Sequence, residues 1–488
     1  MSSITERPDT DPMADIANSP YGVPGQNISD NVSPTGTLTV SDEQELANGE
    51  RLLTLNMGPQ HPSTHGVLRV ILKLDGEVIT DCDPILGYLH RGTEKLGEAH
   101  RYAQLTPWTD RTDYVAAPLN NLGYILAVEK LCDVKAPERA EYWRVIMAEL
   151  SRIASHLVWL GTHALDIGAL SMSLYCFRER EIILDIFESF CGARLTTNMM
   201  EIGGFSREIP DGLVEQVYNF LRVFPERQKE YSALLTKNPI WMARTKGIGI
   251  ISPEAAISYS LTGACLRGSG VNYDVRKATP YLVYDQLDFE VPLGQYGDTY
   301  DRYLVRMEEM RQSIKLIQQC IDHVAKMDTP LMAYESAYVV PPHKGTMTTA
   351  EDMQRHFVWV IKGFNPPVGE VWQTIEHSKG ELGYYLVSDG SPMPYRFRIR
   401  TPDFVNLAVL EIRDVHTLEA GIQQLQHGAG ALRDADPQRA RGILGRALGL
   451  RDQTDLQEVD IGPRDHHQHP LAGELLAVLH HGGEAKRA

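Results

Sequence analysis

The spacing of apolar residues divides the chain into stretches of different period. From Leu52 the apolar positions fall in short β-rich runs, as in VLRVILKL (67–74), and Asp75-Gly76 closes that run before Glu77–Thr80, the pattern of a hairpin in a small antiparallel sheet. Beyond residue 90 the period lengthens to three and four, which predicts helices over 113–131, 137–166, 171–191, 211–236 and 300–327. Pro137 and Glu138 supply a start signal for the second of these, because proline is preorganised for a first helical turn. Shorter strands return near 281–291 and 382–400. The pattern predicts an α+β fold, predominantly helical, with small antiparallel sheets.

Composition changes this picture at both ends. Residues 1–50 hold five Asp and four Glu against one Arg, with five prolines scattered among small polar residues. Such a stretch buries too little apolar surface to offset its ordering entropy, so a disordered acidic tail is expected there. It carries −8 of the net charge of −17. The last 84 residues, after Phe404, contain no Phe, Tyr or Trp. A main domain is therefore expected over 51–410, followed by a divergent tail over 411–488 with helix-like pieces at 417–432, 437–449 and 471–481. His466, His467 and His469 in that tail read as solvated histidines rather than metal ligands.

The balance of 47 Lys and Arg against 64 Asp and Glu argues against a nucleic-acid or anionic-membrane binder. No stretch approaches the roughly 18 consecutive apolar residues of a membrane span, and no secretory leader is readable, so a cytoplasmic chain without its own anchor is expected. The six cysteines include no Cys-x-x-Cys pair, so no metal is assigned to this chain and any iron–sulfur cluster is expected on another.

Four constellations could carry chemistry. In NMGPQHPSTHG (56–66) the glycines and prolines bend the backbone and present His61 and His65 from a loop; the alternative is that both imidazoles merely satisfy backbone groups. In the helix from Pro137, residues Glu149, Arg152, His156, His163 and Asp166 fall on one stripe of an otherwise apolar segment. That stripe is either proton-linked or a plain solvent face. In LHRGTEKLGE (89–98), Arg91, Glu94, Lys95 and Glu98 read as a salt-bridged helix face. In DRTDY (110–114), Tyr114 is a phenol able to donate to a ligand, or a core residue at a helix start. The glycines of KGIGIIS and RGSGVNYD complete neither a dinucleotide fingerprint nor a P-loop.

Taken in chain order, NMGPQHPSTHGVLR (56–69), GYLHRGTEK (87–95), THALDIGA (162–169), LRGSGVNYDVRK (266–277), YDQLDFEVP (284–292), YDRYLVRMEEMRQS (300–313) and KGELGYYLVSDGSPMPYR (379–396) resemble the hydrogenase-like quinone-site subunits, the D subunits, of respiratory complex I. The resemblance implies a nickel–iron hydrogenase large-subunit-like helical bundle that has lost its metals and reduces quinone in the former metal site. Electrons would come from a [4Fe–4S] cluster in the neighbouring small B subunit. The partners implied are this cluster-bearing subunit, the C subunit and the membrane subunit at the quinone entrance, which would hold the chain peripherally on the cytoplasmic side of the inner membrane.

The resemblance maps the headgroup donors to His65 and Tyr114, the carboxylate partner of that histidine to Asp166, and cluster-proximal positions to His61 and Arg91. This sequence departs from the family at Thr196, where a histidine is usual, at Glu201, where an arginine is usual, and at Ile85. The usual short C-terminal motif is not recognisable after PDFVNLAVL (402–410). Two other readings stay open: a scaffold paralogue without turnover, and the same subunit fed by a donor other than NADH.

Overall fold

The computed structural model describes residues 39–45, 51–75, 78–341 and 349–411. Four strands, β1 (Thr39–Glu45), β2 (Arg51–Met57), β3 (Arg69–Asp75) and β4 (Val78–Ile85), form an antiparallel sheet in sequential order. The β2–β3 register runs from Leu52 opposite Asp75 to Met57 opposite Val70, and Asp75 pairs with Val78 of β4. Burial along β3 alternates as a strand with one covered face requires, with Val70, Leu72 and Leu74 inward. They meet Leu55, Met57, Ile79 and Leu410 in a small core of their own. Gly76 of the expected turn lies outside the described residues. The acidic-tail expectation needs one correction, since Thr39–Glu45 pairs with β2 as an edge strand. Backbone pairing holds that strand, and an acidic composition does not prevent it.

The helical body begins with α1 (Thr93–Gly97), α2 (Tyr102–Thr109) and α3 (Ala117–Cys132), followed by α4 (Glu138–Asp166), α5 (Leu170–Cys191) and α6 (Leu213–Leu235). Short helices α7 (Pro239–Thr245), α8 (Pro253–Ser258), α9 (Gly263–Gly268) and α10 (Val275–Ala278) lead to the long α11 (Thr299–Val324). Then come α12 (Ala350–Lys362), strands β5 (Gly369–His377), β6 (Gly380–Ser388) and β7 (Arg396–Arg400), and α13 (Pro402–Ala408). The 29-residue α4 is the axis of the body. It packs against α5 and α11, and it is buried over most of its circumference because apolar residues surround its polar stripe. Glu138 and Glu141 face the positive end of its dipole in the first turn.

The five long helices of the periodic reading are present with ends shifted by a few residues. Two expectations are corrected. Residues 281–291 form no strand: Tyr284–Gln286 is a 3₁₀ turn in an irregular segment flanked by Pro280 and Pro292. Its apolar run is buried residue by residue, with Tyr281, Val283, Tyr284, Leu287 and Phe289 each packed in the body rather than paired in a ladder. Arg91 is not on the α1 face, because the helix begins only at Thr93. The region 382–400 resolves into β6 and β7, and β5 adds a strand to give the order β5-β6-β7. The tail pieces at 417–432, 437–449 and 471–481 and the three histidines lie outside the described residues. Among the described residues no helix is long and apolar enough to cross a membrane.

Candidate functional site

The loop from β2 to β3 is closed on itself by local chemistry. Gly58 has φ +88°, and a Cβ there would stand 1.9 Å from the carbonyl oxygen of Leu68, so only glycine lets the two arms approach. A 3₁₀ turn at Pro62–Thr64 follows, and the Thr64 hydroxyl donates to the His61 carbonyl at 2.8 Å or the Gly66 carbonyl at 3.1 Å. His65 takes the left-handed conformation, φ 44°, which non-glycine residues adopt only when their surroundings enforce it. The result is that its Nε2 stands 3.1 Å from both carboxylate oxygens of Asp166.

Asp166 is the last residue of α4. A carboxylate at the negative end of a helix dipole is disfavoured alone, and an imidazole N–H directed at it offsets that. The side chains of His65 and Asp166 are 27% and 12% exposed, so the pair is sheltered but reachable. Burial lowers the pKa of His61, and the charge of Asp166 only partly offsets this. The two histidines of the motif thus differ: His61 is held toward the neutral form, and His65 is hydrogen-bonded to the acid.

Tyr114 is 55% exposed, which overturns the core-packed alternative. Its loop is anchored by two carboxylates that precede it, Asp110 buried and Asp113 partly buried. Asp110 accepts from the Asn198 backbone N–H at 2.7 Å, and burial pushes its pKa up to about 7 against that bond. Asp113 accepts from the Val115 N–H at 3.3 Å and ion-pairs with Lys379. Arg91 reaches the same loop, donating from Nη2 to the Arg111 carbonyl at 3.0 Å. The structure therefore brings His65 to Asp166, and Arg91 to the loop of Tyr114.

The rest of the α4 stripe is neither exposed nor at this rim, which corrects the solvent-face reading. Glu149 and Arg152 pair at 3.1 Å with both side chains fully buried. Arg152 also donates to the carbonyls of Glu376 at 2.6 Å and His377 at 3.0 Å, and so fixes the β5–β6 hairpin on α4. Burial disfavours the Glu149 carboxylate, but Arg152, Arg276, Ser313 and Tyr284 together overcome that and hold its pKa at about 2. His156 bonds Glu309 of α11 at 2.7 Å, and burial outweighs that partner to keep the imidazole pKa low. His163 lies deeper among the rings of Trp159 and Trp241; burial, then the charges of Arg306 and Arg302, lowers it to about 3.

Partners for this stripe come from residues that no sequence motif groups with it. Arg267 pairs with Glu309 at 2.6 Å and Glu376 at 2.8 Å, and Arg276 pairs with Asp274 at 2.7 Å and Glu149 at 3.1 Å. The available signal was charge inside segments otherwise built for burial, such as Glu309 in the helix YDRYLVRMEEMRQS.

A family model described as the 49 kDa subunit of the respiratory-chain NADH dehydrogenase matches residues 166–418. The NADH-quinone oxidoreductase D subunit of Geotalea uraniireducens is 54% identical over 360 residues, covering 74% of this chain and 92% of that protein. The protein of the same name from Geobacter sulfurreducens is 51% identical with the same coverage. The one from Burkholderia cenocepacia is 46% identical over 383 residues, 73% of this chain and 92% of that protein.

Proposed function

The chain belongs to the family of NADH-quinone oxidoreductase D subunits, the 49 kDa subunits of complex I, and from that premise we propose that a quinone headgroup is reduced between His65 and Tyr114. The observation that carries this reading is the two-oxygen contact of Asp166 on His65 Nε2 at 3.1 Å. With Nε2 committed to the carboxylate, Nδ1 is the nitrogen left for a ligand. Reduction of a quinone to a quinol consumes two electrons and two protons, so a donor is wanted at each carbonyl oxygen. His65 supplies one and the exposed phenol of Tyr114 the other. Asp166 orients the imidazole by holding its Nε2.

The electrons come, on this reading, from a [4Fe–4S] cluster carried by the adjoining small B subunit. Arg91, held by the Arg111 carbonyl, and His61, within the field of the Asp166 charge, occupy the positions the family places near that cluster. Leu86, Tyr88 and Leu89 are exposed just before Arg91 and suit a face covered by a neighbouring chain of the complex. The C subunit and the membrane subunit at the quinone entrance complete the surroundings, and the chain is held on the cytoplasmic side of the membrane through such partners. The body follows the hydrogenase-large-subunit arrangement, with long helices around a vacated metal site. The stripe Glu149, Arg152, His156 and His163 forms the buried polar interior behind this site, and on this reading it acts on the site through its fixed charges and hydrogen bonds rather than as a proton-linked path.

The test is inhibitor-sensitive quinone reduction in membranes whose only D subunit is this chain, comparing the parent with His65→Ala and Tyr114→Phe. Loss of turnover by about 10²-fold or more with the complex still assembled is expected. An assembled but inactive parent would instead make the chain a scaffold.

A further inference from the structure

Arg180 of α5 is 7% exposed, and among the described residues its guanidinium makes no hydrogen bond or ion pair. Its Nε is sealed without a partner, and the outer end of the fork reaches the surface beside Phe177, whose ring centroid lies 5.7 Å from the guanidinium carbon. Other buried arginines are bound several times over. Arg144 holds Glu129 at 2.9 and 2.6 Å, Arg302 donates to the carbonyls of Gly297 and Gly249 at 2.7 and 2.8 Å, and Arg152, Arg267 and Arg276 meet the carboxylates named above. A guanidinium withdrawn from water without a counter-charge is destabilising, so a helix keeps one where a partner arrives from elsewhere. Glu181, the next residue, is not that partner: it ion-pairs with Arg194, which also holds Asp185 at 2.8 Å and Glu188 at 3.1 Å.

The surface that leads to Arg180 is apolar. Helix α5 starts four residues after Asp166, and Leu170, Leu174 and Phe177, spaced four and three apart, share one exposed face. Leu165, in the last turn of α4, is exposed as well. The two helices approach closely under this face, since a Cβ at Gly161 would stand 3.3 Å from Ser173 Cα and 3.5 Å from Phe177 Cε2. Arg180 follows Phe177 by three residues, so the stripe ends on an unpaired cation.

We infer that this face of α5 docks an apolar segment of another subunit of the complex, and that an aspartate or glutamate of that segment pairs with Arg180. Membership of the complex I family supplies the reason for a neighbouring chain, and the inference does not depend on where quinone is reduced. The chemistry selects the occupant. Large exposed side chains in a row are what a partner's apolar residues cover, and a planar guanidinium at their edge accepts a carboxylate in two parallel bonds. A phosphate, free or on a lipid, carries more charge than one arginine balances, and the nearby Arg194 is already shared by three carboxylates. The pair would be desolvated once docked, which makes Arg180 an anchor of the contact rather than a rim charge.

The experiment uses membranes carrying the whole complex with the parent chain, Arg180→Lys, Arg180→Met or Leu174→Asp. A carbodiimide joins an amine to a carboxylate with loss of water and leaves a guanidinium unreacted. The Arg180→Lys complex is therefore expected to give a covalent product of two different subunits, mapped by mass spectrometry to position 180 and to an acidic residue of the neighbour, which the parent and Arg180→Met lack. Leu174 is 68% exposed, so Leu174→Asp leaves the chain's own core intact and should lower the amount of intact complex several-fold, as should Arg180→Met. Where Arg180→Lys fails to assemble, Leu174→Asp decides. Parental amounts of complex with Leu174→Asp overturn the inference. So does an assembled Arg180→Lys complex with no product at position 180, or with one that joins it to an acid of this same chain. Loss of bound phospholipid from Arg180→Met, with every subunit retained at parental strength, would assign the arginine to a lipid and overturn it too.

Discussion

The middle of α4 and its end use the same residue types to opposite effect. In the middle, Glu149, Arg152 and His156 are buried, and each meets a charged partner on another element or one turn away. At the end, Asp166 meets His65 where both remain partly open. Sealed in low dielectric, a charge is bound to its partners, and their directions lock α4, α10, α11 and the β5–β6 hairpin together. At the rim, solvent screens the pair and weakens the hold of each partner on the other. One helix thus carries a sealed set of charges and a solvent-reachable one, separated by about four turns.

This contrast predicts unequal responses. Arg267→Met should be the most damaging change, because Glu309, Glu376 and Asp274 all lean on that guanidinium. A loss of about 3–5 kcal/mol, read in denaturant unfolding, is expected from the stranded carboxylates; a near-neutral result would break the distinction between the two regions. Asp110→Asn should act through pH. A carboxyl raised from 3.8 to about 7 holds its proton more tightly in the folded state, so Asp110 weakens the fold progressively as pH climbs across that window. The Asn variant should therefore gain on the parent above neutrality, on the order of 2–3 kcal/mol, with no gain near pH 4.

Asp166→Asn should reverse the pattern of Arg267. Turnover should fall roughly 10–100-fold while the unfolding midpoint hardly moves, since a rim pair adds little stability. The smallest effect belongs to Lys95→Ala. Its bond to Glu98 is 2.7 Å long, but the lysine is 86% exposed, and a change below about 0.5 kcal/mol in thermal unfolding is expected.

Periodicity made the long helices legible because each buries a face of constant pitch. It misread 281–291, where aromatic and β-branched residues are buried one at a time between two prolines, and it passed over β5, whose inner end is covered on both faces and does not alternate. The rim residues His65, Asp166, Tyr114 and Arg91 were legible through family motifs. Lys379 stands in one of those motifs, but nothing local distinguishes it from a surface lysine. Asp113 and Lys379 lie 266 positions apart, and such a pairing is set by the packing of a hairpin tip rather than by any spacing.

The bond between His65 and Asp166 spans 101 residues of chain. Closing a loop of that length costs about 4 kcal/mol in chain entropy, and neither residue gains from the other until the β1–β4 sheet, with its separate core, has docked on the helical body. The order of events during folding follows. The interior charges of α4 can be satisfied as the helices condense, whereas the His65–Asp166 pair is a late contact of high sequence separation. A chain arrested before docking would hold a well-formed helical body and no His65–Asp166 contact, so formation of that contact during refolding would lag behind the recovery of helix.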